Sequence, residues 1–381
     1  MVRPDAGPIA IVSEDLSLPL DEGLKKFVFC VASHLSRSTP PLMISTRPEG
    51  PLPPEVLHCP SGRLMQGSTL KRELAAFGPD RLIYVPRAAG TRNAFIRSQM
   101  LGRLVPGAKI MMVSLQQRHY GPAARAFIRR FHPYITVSQG LETRDQLRRL
   151  DIPSMAIPSG VDHDMFRPAS RDERRRLRLE HGIDPERFVI LHVGHLRTQR
   201  NVELLGRLRQ TVDADVVMVA STSTTADVGL GEKLRARGVH IIDRYVPDVA
   251  DFYRIADCYL FPVHVYYGAI EMPLSVLEAM SCGIPVVSTP FGSLPYWLEP
   301  GPGIEYAASD DTLVEAVRRH MSSGLPSDPE VIRERSRGFS WPAIADRLLK
   351  AFDGVCDAEA GTDDLDKQVA DRSEDVARCA S

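Results

Sequence analysis

Short β-rich runs alternate with helix-patterned stretches along most of this 381-residue chain, and that alternation leaves few folds open. Pro8-Ile-Ala-Ile-Val-Ser13 precedes a helical pattern over residues 23–36, which precedes Pro41-Leu-Met-Ile-Ser-Thr46. Strand, helix and strand in that order close as a βαβ crossover, and neighbouring strands built that way run parallel. The alternation continues through Arg81–Val85, Lys109–Val113, Tyr134–Val137 and Ser154–Ile157. It pauses at Arg171–Glu180, which is dense in Arg and Glu and reads as an exposed helix. It then restarts, with Phe188–Val193, Asp215–Ala220, Val239–Ile242, Cys258–Pro262 and Pro285–Ser288 as the strands of a second set. The fold class is α/β, with two doubly wound parallel sheets in separate domains. Ligands of such sheets sit beyond the carboxyl ends of the strands, so two of them facing each other predict a central cleft.

The chain is long enough for two cores, and 43% hydrophobic with 25% charged residues excludes a fibre or a wholly disordered chain. No run approaches the roughly 20 apolar residues that cross a bilayer. Met1-Val-Arg-Pro-Asp-Ala-Gly7 lacks the apolar core of a secretory signal, so the expected location is cytoplasmic. Six cysteines, at 30, 59, 258, 282, 356 and 379, show no Cys-x-x-Cys spacing, which points away from a zinc site or a disulfide framework. Cys258 and Cys282 read as small core residues.

A net charge of −1 conceals an asymmetry. Residues 1–165 hold 21 Lys/Arg against 14 Asp/Glu, net +7, and residues 166–381 hold 26 against 34, net −8. Arg118, His119, Arg125, Arg129, Arg130 and His132 follow one another with no acidic residue between them, and Phe127 and Phe131 are spaced to share a helix face. A solvated helix is the plain reading. The sharper one is contact with an anionic acceptor or with the inner face of a membrane, where each basic residue contributes about 1 kcal/mol. The excess is too modest, and too poor in aromatic platforms, for a nucleic-acid partner. No G-x-G-x-x-G follows the first strand, which argues against a dinucleotide-dependent oxidoreductase. At the far end Trp341–Phe352 is an amphipathic helical pattern, while residues 357–381 are acidic and nearly devoid of large apolar groups, the composition of a disordered tail.

The stretch Ile270-Glu-Met-Pro-Leu-Ser-Val-Leu-Glu-Ala-Met-Ser-Cys-Gly-Ile-Pro285 joins a helix start to a carboxylate. Pro273 suits the first turn, where its missing N–H costs nothing, and the free N–H groups of Leu274, Ser275 and Val276 then point outward as anion donors. Glu278 follows about one turn later, within reach of a sugar hydroxyl. A buried βα unit with an incidental glutamate fits the same residues.

From Pro273 to Val287 these residues resemble the E-x7-E segment of retaining glycosyltransferases of the family 4 type (glycosyl transferases group 1), which reads E-G-F-P-L-S-V-L-E-A-M-A-x-G-x-P-V-V. Ile157-Pro-Ser-Gly-Val-Asp-His-Asp-Met-Phe-Arg-Pro168 resembles their P-N-G-V-D-x-x-x-F-x-P hinge motif. Val193-Gly-His-Leu-Arg-Thr-Gln-Arg-Asn201 resembles their G-R-L-x-x-x-K-G loop. The resemblance implies the GT-B architecture of two Rossmann-like domains facing a central cleft. Residues 1–165 would form the acceptor domain, 166–340 the nucleotide-sugar domain, 341–356 a helix crossing back to the first domain, and 357–381 the tail. Closure is expected about a hinge near Gly160-Val-Asp162.

The resemblance also implies roles. Glu278 would hold the ribose hydroxyls, and Arg200, at the family's lysine position, would grip the departing diphosphate, bidentately if need be. His195 stands where the family has arginine, and Arg197, two residues on, is the alternative phosphate ligand. The family's first glutamate is displaced. Its place is Ile270, and neighbouring Glu271 either reaches the donor through a backbone shift or serves as a helix N-terminal carboxylate. Gly23, ahead of Lys25 and Lys26, occupies the place of a glycine-rich loop near the diphosphate. Ser221-Thr-Ser-Thr-Thr225 offers hydroxyls to a base or phosphate, with a capped loop as the ordinary alternative. Tyr245-Val-Pro247 and Phe261-Pro262 fall near the expected base pocket. His119, Arg118 and Gln117, after a strand that should open on the cleft, are acceptor-side residues, His119 with a possible catalytic proton.

The expected activity is transfer of a sugar, of hexosyl type, from a nucleotide diphosphate sugar to an acceptor hydroxyl, with retention, in glycan or glycolipid synthesis. No metal or cofactor is expected. The expected partners are the nucleotide sugar and a carbohydrate or lipid-linked acceptor. Two other readings use the same cleft. A sugar-nucleotide epimerase or hydrolase needs no acceptor groove, and a catalytically inactive nucleotide-sugar binder is favoured by Ile270 and His195 at usual functional positions.

Overall fold

The computed structural model of the protein describes residues 7–35, 39–323 and 328–354. The expected acidic tail, 357–381, lies outside them. The first domain runs β1 (Ile9–Ser13), α1 (Gly23–Leu35), β2 (Leu42–Ser45), β3 (Val56–His58), α2 (Ser68–Phe77), β4 (Arg81–Val85), α3 (Arg92–Leu104), β5 (Lys109–Ser114), α4 (Pro122–Arg130), β6 (Ile135–Ser138), α5 (Leu141–Arg148) and β7 (Ser154–Ala156). Its seven strands are parallel in the order β3-β2-β1-β4-β5-β6-β7. Burial on both faces explains the near-continuous apolar strand sequences: every residue of Ile9–Ser13 is buried, as is each from Leu82 to Val85.

The second domain follows with α6 (Arg171–Glu180), β8 (Phe188–Gly194), α7 (Glu203–Thr211), β9 (Ala214–Ala220), α8 (Leu230–Ala236), β10 (His240–Ile242), α9 (Ala250–Ile255) and β11 (Cys258–Phe261). It is completed by α10 (Leu274–Ser281), β12 (Val286–Ser288), α11 (Leu294–Trp297), β13 (Ile304–Tyr306), α12 (Asp310–Ser323) and α13 (Pro329–Ser336), before a last helix, α14 (Trp341–Phe352). Its six strands are also parallel, in the order β10-β9-β8-β11-β12-β13. Each sheet therefore reverses its winding between its first and fourth strand, β1/β4 in one and β8/β11 in the other, and those are the places where such sheets open a crevice.

Two features depart from the sequence expectation. The edge strands β3 and β13 were not legible, being three residues each beside proline- or glycine-rich loops. The Arg171–Glu180 helix is present but not free in solvent. Leu177 and Arg178 are buried, and Arg178 donates to Ile255 O at 2.9 Å and to Asp257 Oδ2 at 2.5 Å, so α6 is docked by an arginine as well as by a leucine.

The chain crosses between the domains twice, and the crossings touch. Val161 N donates to Phe339 O at 2.7 Å, and a Cβ on Gly160 would sit 2.6 Å from carbons of the Trp341 indole. Only glycine admits that approach. Beyond the crossing α14 packs on α1, with Trp341 edge-on to Phe27 at 5.9 Å, and Ile344, Leu348 and Phe352 join the first domain's core. Lys109 Nζ caps its end by donating to Phe352 O at 2.7 Å. Among the described residues no helix is long and apolar enough to cross a membrane.

Candidate functional site

The loops that follow β1, β4, β8 and β11 converge on a cleft of ≈ 650 Å³ between the domains. Helix α10 begins at its wall. Pro273 (φ −63°, ψ 125°) is its N-cap, one position earlier than the sequence implied, and Leu274 and Ser275 line the cleft at the exposed N–H end of the helix. Leu274 also packs into the first domain's core, which ties the start of α10 to the opposite wall.

Cationic and hydroxyl groups gather beside this helix start. The β8–α7 loop is tightened by a short 3-10 turn, Thr198–Arg200, ending at Asn201 in the left-handed region. Thr198 N and Oγ1 both donate to Asp227 Oδ2, at 2.8 and 2.7 Å, and Asn201 Nδ2 donates to Asp310 Oδ1 at 2.8 Å. These bonds aim Arg200 and His195 into the cleft. Among the described residues Arg200 Nε, His195 Nδ1 and Ser221 Oγ are buried polar atoms with no hydrogen-bond partner. Burial lowers the Arg200 guanidinium to about 10. Burial, with Arg200 and Arg197 adding repulsion, lowers His195 to about 4. A desolvated arginine, an unpaired imidazole nitrogen and a free hydroxyl beside a helix N-terminus form a donor set that suits an oxyanion carrying more than one charge. Arg197 lines the same cleft, with its Nε donating to Thr225 O at 3.1 Å.

Glu278 is 5% exposed and faces this cleft. Its Oε2 accepts from Tyr253 OH at 2.6 Å, and Lys26 of the first domain reaches its Oε1 at 3.4 Å across the domain boundary. Gly23 also lines the cleft, directly beneath Ile270. Arg200, Arg197, His195, Glu278, Leu274, Ser275, Gly23 and Ser221 are thus brought together.

Glu271 and His119 are not. The side chain that reaches the cleft from 270–271 is Ile270, because Glu271 N donates to Leu115 O at 2.7 Å and its own carboxylate turns under Gly140 of the first domain. There Glu271 is 2% exposed, Oε2 has no partner among the described residues, and burial, reinforced by Glu142, raises its carboxyl to about 8. No backbone shift returns it to the donor side. His119 lies outside the cleft, paired with Glu142 at 3.2 Å and edge-on to Tyr266 at 5.5 Å. Arg118 is turned to Ala89 O at 2.7 Å and Gln117 to Glu142. Lys25 points inward to Asp15, at 3.4 Å, leaving Lys26 as the cleft lysine of that helix. Of the 221–225 hydroxyls, those of Ser221 and Thr224 line the cleft, while Thr222 and Ser223 are engaged elsewhere. Thr222 N and Oγ1 donate to Asp21 Oδ2 at 2.6 and 2.9 Å, and Ser223 Oγ to Asp21 Oδ1.

Among the residues the sequence did not single out are Asp21 and Glu22, which line the cleft, and Tyr253, which is buried behind it and holds Glu278. For the first two a signal existed, since consecutive carboxylates precede Gly23 in the loop between the first strand and the first helix. Tyr253 gave none, being one of two adjacent aromatic residues in α9.

Residues 187–323, the greater part of the second domain, match the sequence model of the family described as glycosyl transferases group 1. The match covers 137 of the 381 residues and lies within the second domain. The D-inositol 3-phosphate glycosyltransferase 1 of Catenulispora acidiphila is 28% identical over 234 residues, which are 54% of this chain and 52% of that protein. The chain spans about half the length of curated relatives it matches. Among solved structures, sucrose-phosphate synthase from Thermosynechococcus elongatus superposes with a TM-score of 0.71 at 16% identity, over 92% of this chain and 99% of that one. Anabaena HepE in complex with UDP-glucose superposes with a TM-score of 0.70 at 14% identity, over 91% and 100%. The matched residues fall in one half of a GT-B fold whose other half is β1–β7 with α14.

Proposed function

We propose that this protein transfers a hexosyl group from a nucleotide diphosphate sugar to the hydroxyl of a carbohydrate or lipid-linked acceptor, with retention. The observation that carries the reading is the set of unpartnered donors on Arg200, His195 and Ser221 at the start of α10, where two sheets open toward each other. Departure of a diphosphate builds negative charge on its bridging oxygen, and fixed donors in a partly desolvated site stabilise that charge without reorganising. Arg200 is the principal neutralising group. His195, neutral while the cleft is empty, donates from one ring nitrogen and accepts a proton as the anion arrives. Glu278, oriented by Tyr253, takes the ribose hydroxyls. No metal is required for this division of labour, because the protein supplies the charge.

The names of the relatives support glycosyl transfer, and the HepE structure, named for its UDP-glucose complex, supports a nucleotide-sugar donor. Retention rests on the resemblance of Pro273–Val287. The exposed basic side of α4, with Arg125 and Arg130, faces outward from the acceptor domain, where it would meet an anionic membrane surface.

The test is a thermal-shift panel of UDP, ADP and GDP and of UDP-glucose, ADP-glucose and GDP-mannose, with and without magnesium. A ligand at 100 times its Kd adds about 2.7 kcal/mol of stability. A metal-independent shift is expected for one base. Absence of any shift sinks the reading, and binding with release of free sugar in preference to transfer replaces it with the hydrolase.

A further inference from the structure

Position 270 puts hydrocarbon into the cleft beside the anion-binding groups. Ile270 lines the cleft, and a Cβ on Gly23 of the first domain would sit 3.0 Å from its Cδ1. Leu24, Leu115 and Leu274 line the same cleft and belong to the core against which Ile270 packs. The backbone fixes which side chain is presented. Glu271 N donates to Leu115 O at 2.7 Å, Glu271 O accepts from Ser293 N at 3.1 Å, and Met272 N donates to Gln139 Oε1 at 3.0 Å. A shift by one residue would break all three bonds, so the neighbouring carboxylate of Glu271 stays under Gly140 and the cleft receives an isoleucine.

The stretch 268–270 runs from the Arg200 loop to the first domain: a Cβ on Gly268 would meet Gln199 O at 3.0 Å, and Ile270 covers Gly23. Glu278 lies on the other side of the start of α10, about one turn along the helix. A nucleotide diphosphate sugar with its ribose at Glu278 and its diphosphate at Arg200 and the helix start therefore extends its sugar toward Ile270. Resting on the glycosyl-transfer reading above, we propose that the donor sugar is a deoxyhexose, with the edge that lacks its hydroxyl laid against Ile270. A hydroxyl turned to Ile270 gives up its water and gains no partner, whereas a methylene or methyl group there is buried favourably. Glu22 and Gln116 also line the cleft and remain for the hydroxyls on the sugar's other edges. Ile270 acts as a specificity-determining residue: it selects among donors and takes no part in making or breaking bonds.

The experiment uses the full chain and calorimetric titration of UDP, ADP and GDP, of their glucose conjugates, and of the 3-, 4- and 6-deoxyglucose conjugates of each. On the base that binds, one deoxy donor is expected to bind the wild type at least about tenfold more tightly than the glucose donor, the scale on which an apolar pocket discriminates by one small group. Ile270→Gln offers an amide to the hydroxyl. It should bind the free nucleoside diphosphate as the wild type does and narrow the preference to within about threefold. Ile270→Val should keep the preference, which general loosening of the loop would not allow. If Ile270→Gln no longer binds the nucleoside diphosphate, Ile270→Thr, which offers a hydroxyl on a β-branched side chain, takes its place. A glucose donor that the wild type binds as tightly as all three deoxy donors overturns the proposal while leaving nucleotide binding intact, and so does a preference that survives the polar substitution. A wild-type chain that binds none of the three nucleoside diphosphates defeats the underlying reading instead.

Discussion

At the residue scale, the difference between Ile270 and Glu271 shows what a sequence position does and does not convey. Alignment by motif puts a carboxylate one place from where it would serve, and a chain can in principle slip by one residue. Here it does not, because Glu271 N is bonded to Leu115 O and the side chain is enclosed under Gly140. The burial has a thermodynamic signature. The folded chain, with Glu271 near 8, holds a proton that the unfolded chain, with an ordinary carboxyl near 4.5, releases. Stability from this site is therefore full below pH 4.5 and is lost as pH rises toward 8, by roughly 3–5 kcal/mol when complete. Glu271→Gln should flatten that fall and raise the melting temperature at pH 8; parallel pH curves for the two proteins would show that Glu271 is ionised in the folded chain. Arg200, Glu278 and His195 were legible because each sits in a loop or helix start whose pattern fixes its direction. His119 was not, because the side on which a loop residue emerges depends on partners, here Glu142 and Tyr266, from other elements.

At the element scale, the long apolar strands and amphipathic helices were readable because burial on two faces, or on one stripe, leaves a period in the sequence. The edge strands Val56–His58 and Ile304–Tyr306 left none, since three residues with partial exposure carry no period. The paired crossings were half legible: the hinge motif marked Gly160, but its contact with Trp341, 181 positions later, is tertiary. Gly160→Ala tests that contact. Its Cβ would meet the indole at 2.6 Å, and overpacking of this kind costs about 1–3 kcal/mol. A lowered denaturant midpoint is expected, and an unchanged midpoint would mean that the crossings separate without cost.

At the scale of the whole molecule, the two sheets are held face to face by contacts that flank the cleft. Lys26 with Glu278 lies inside it, Asp21 with Thr222 and Ser223 at its side, and Gln139 with Met272 N, at 3.0 Å, beneath. Burial alone would raise the Asp21 carboxyl, but the bonds from Ser223 and Thr222 outweigh it and hold it below the ordinary range. The Asp21 clamp is therefore complete at neutral pH and is lost only as pH falls through that lowered value. Asp21→Ala should open the nucleotide-free molecule, read as a larger radius of gyration in small-angle scattering at pH 7. An identical radius would place the closure elsewhere. The central claim is that the cleft recognises a diphosphate through Arg200, and calorimetric titration of UDP, ADP and GDP and their monophosphates into wild type and Arg200→Ala tests it most directly. For one base the diphosphate should bind the wild type at least about tenfold more tightly than the monophosphate, ~1.4 kcal/mol, and Arg200→Ala should erase most of that difference. Equal affinity for the two in the wild type, or a preference that survives Arg200→Ala, would contradict the account.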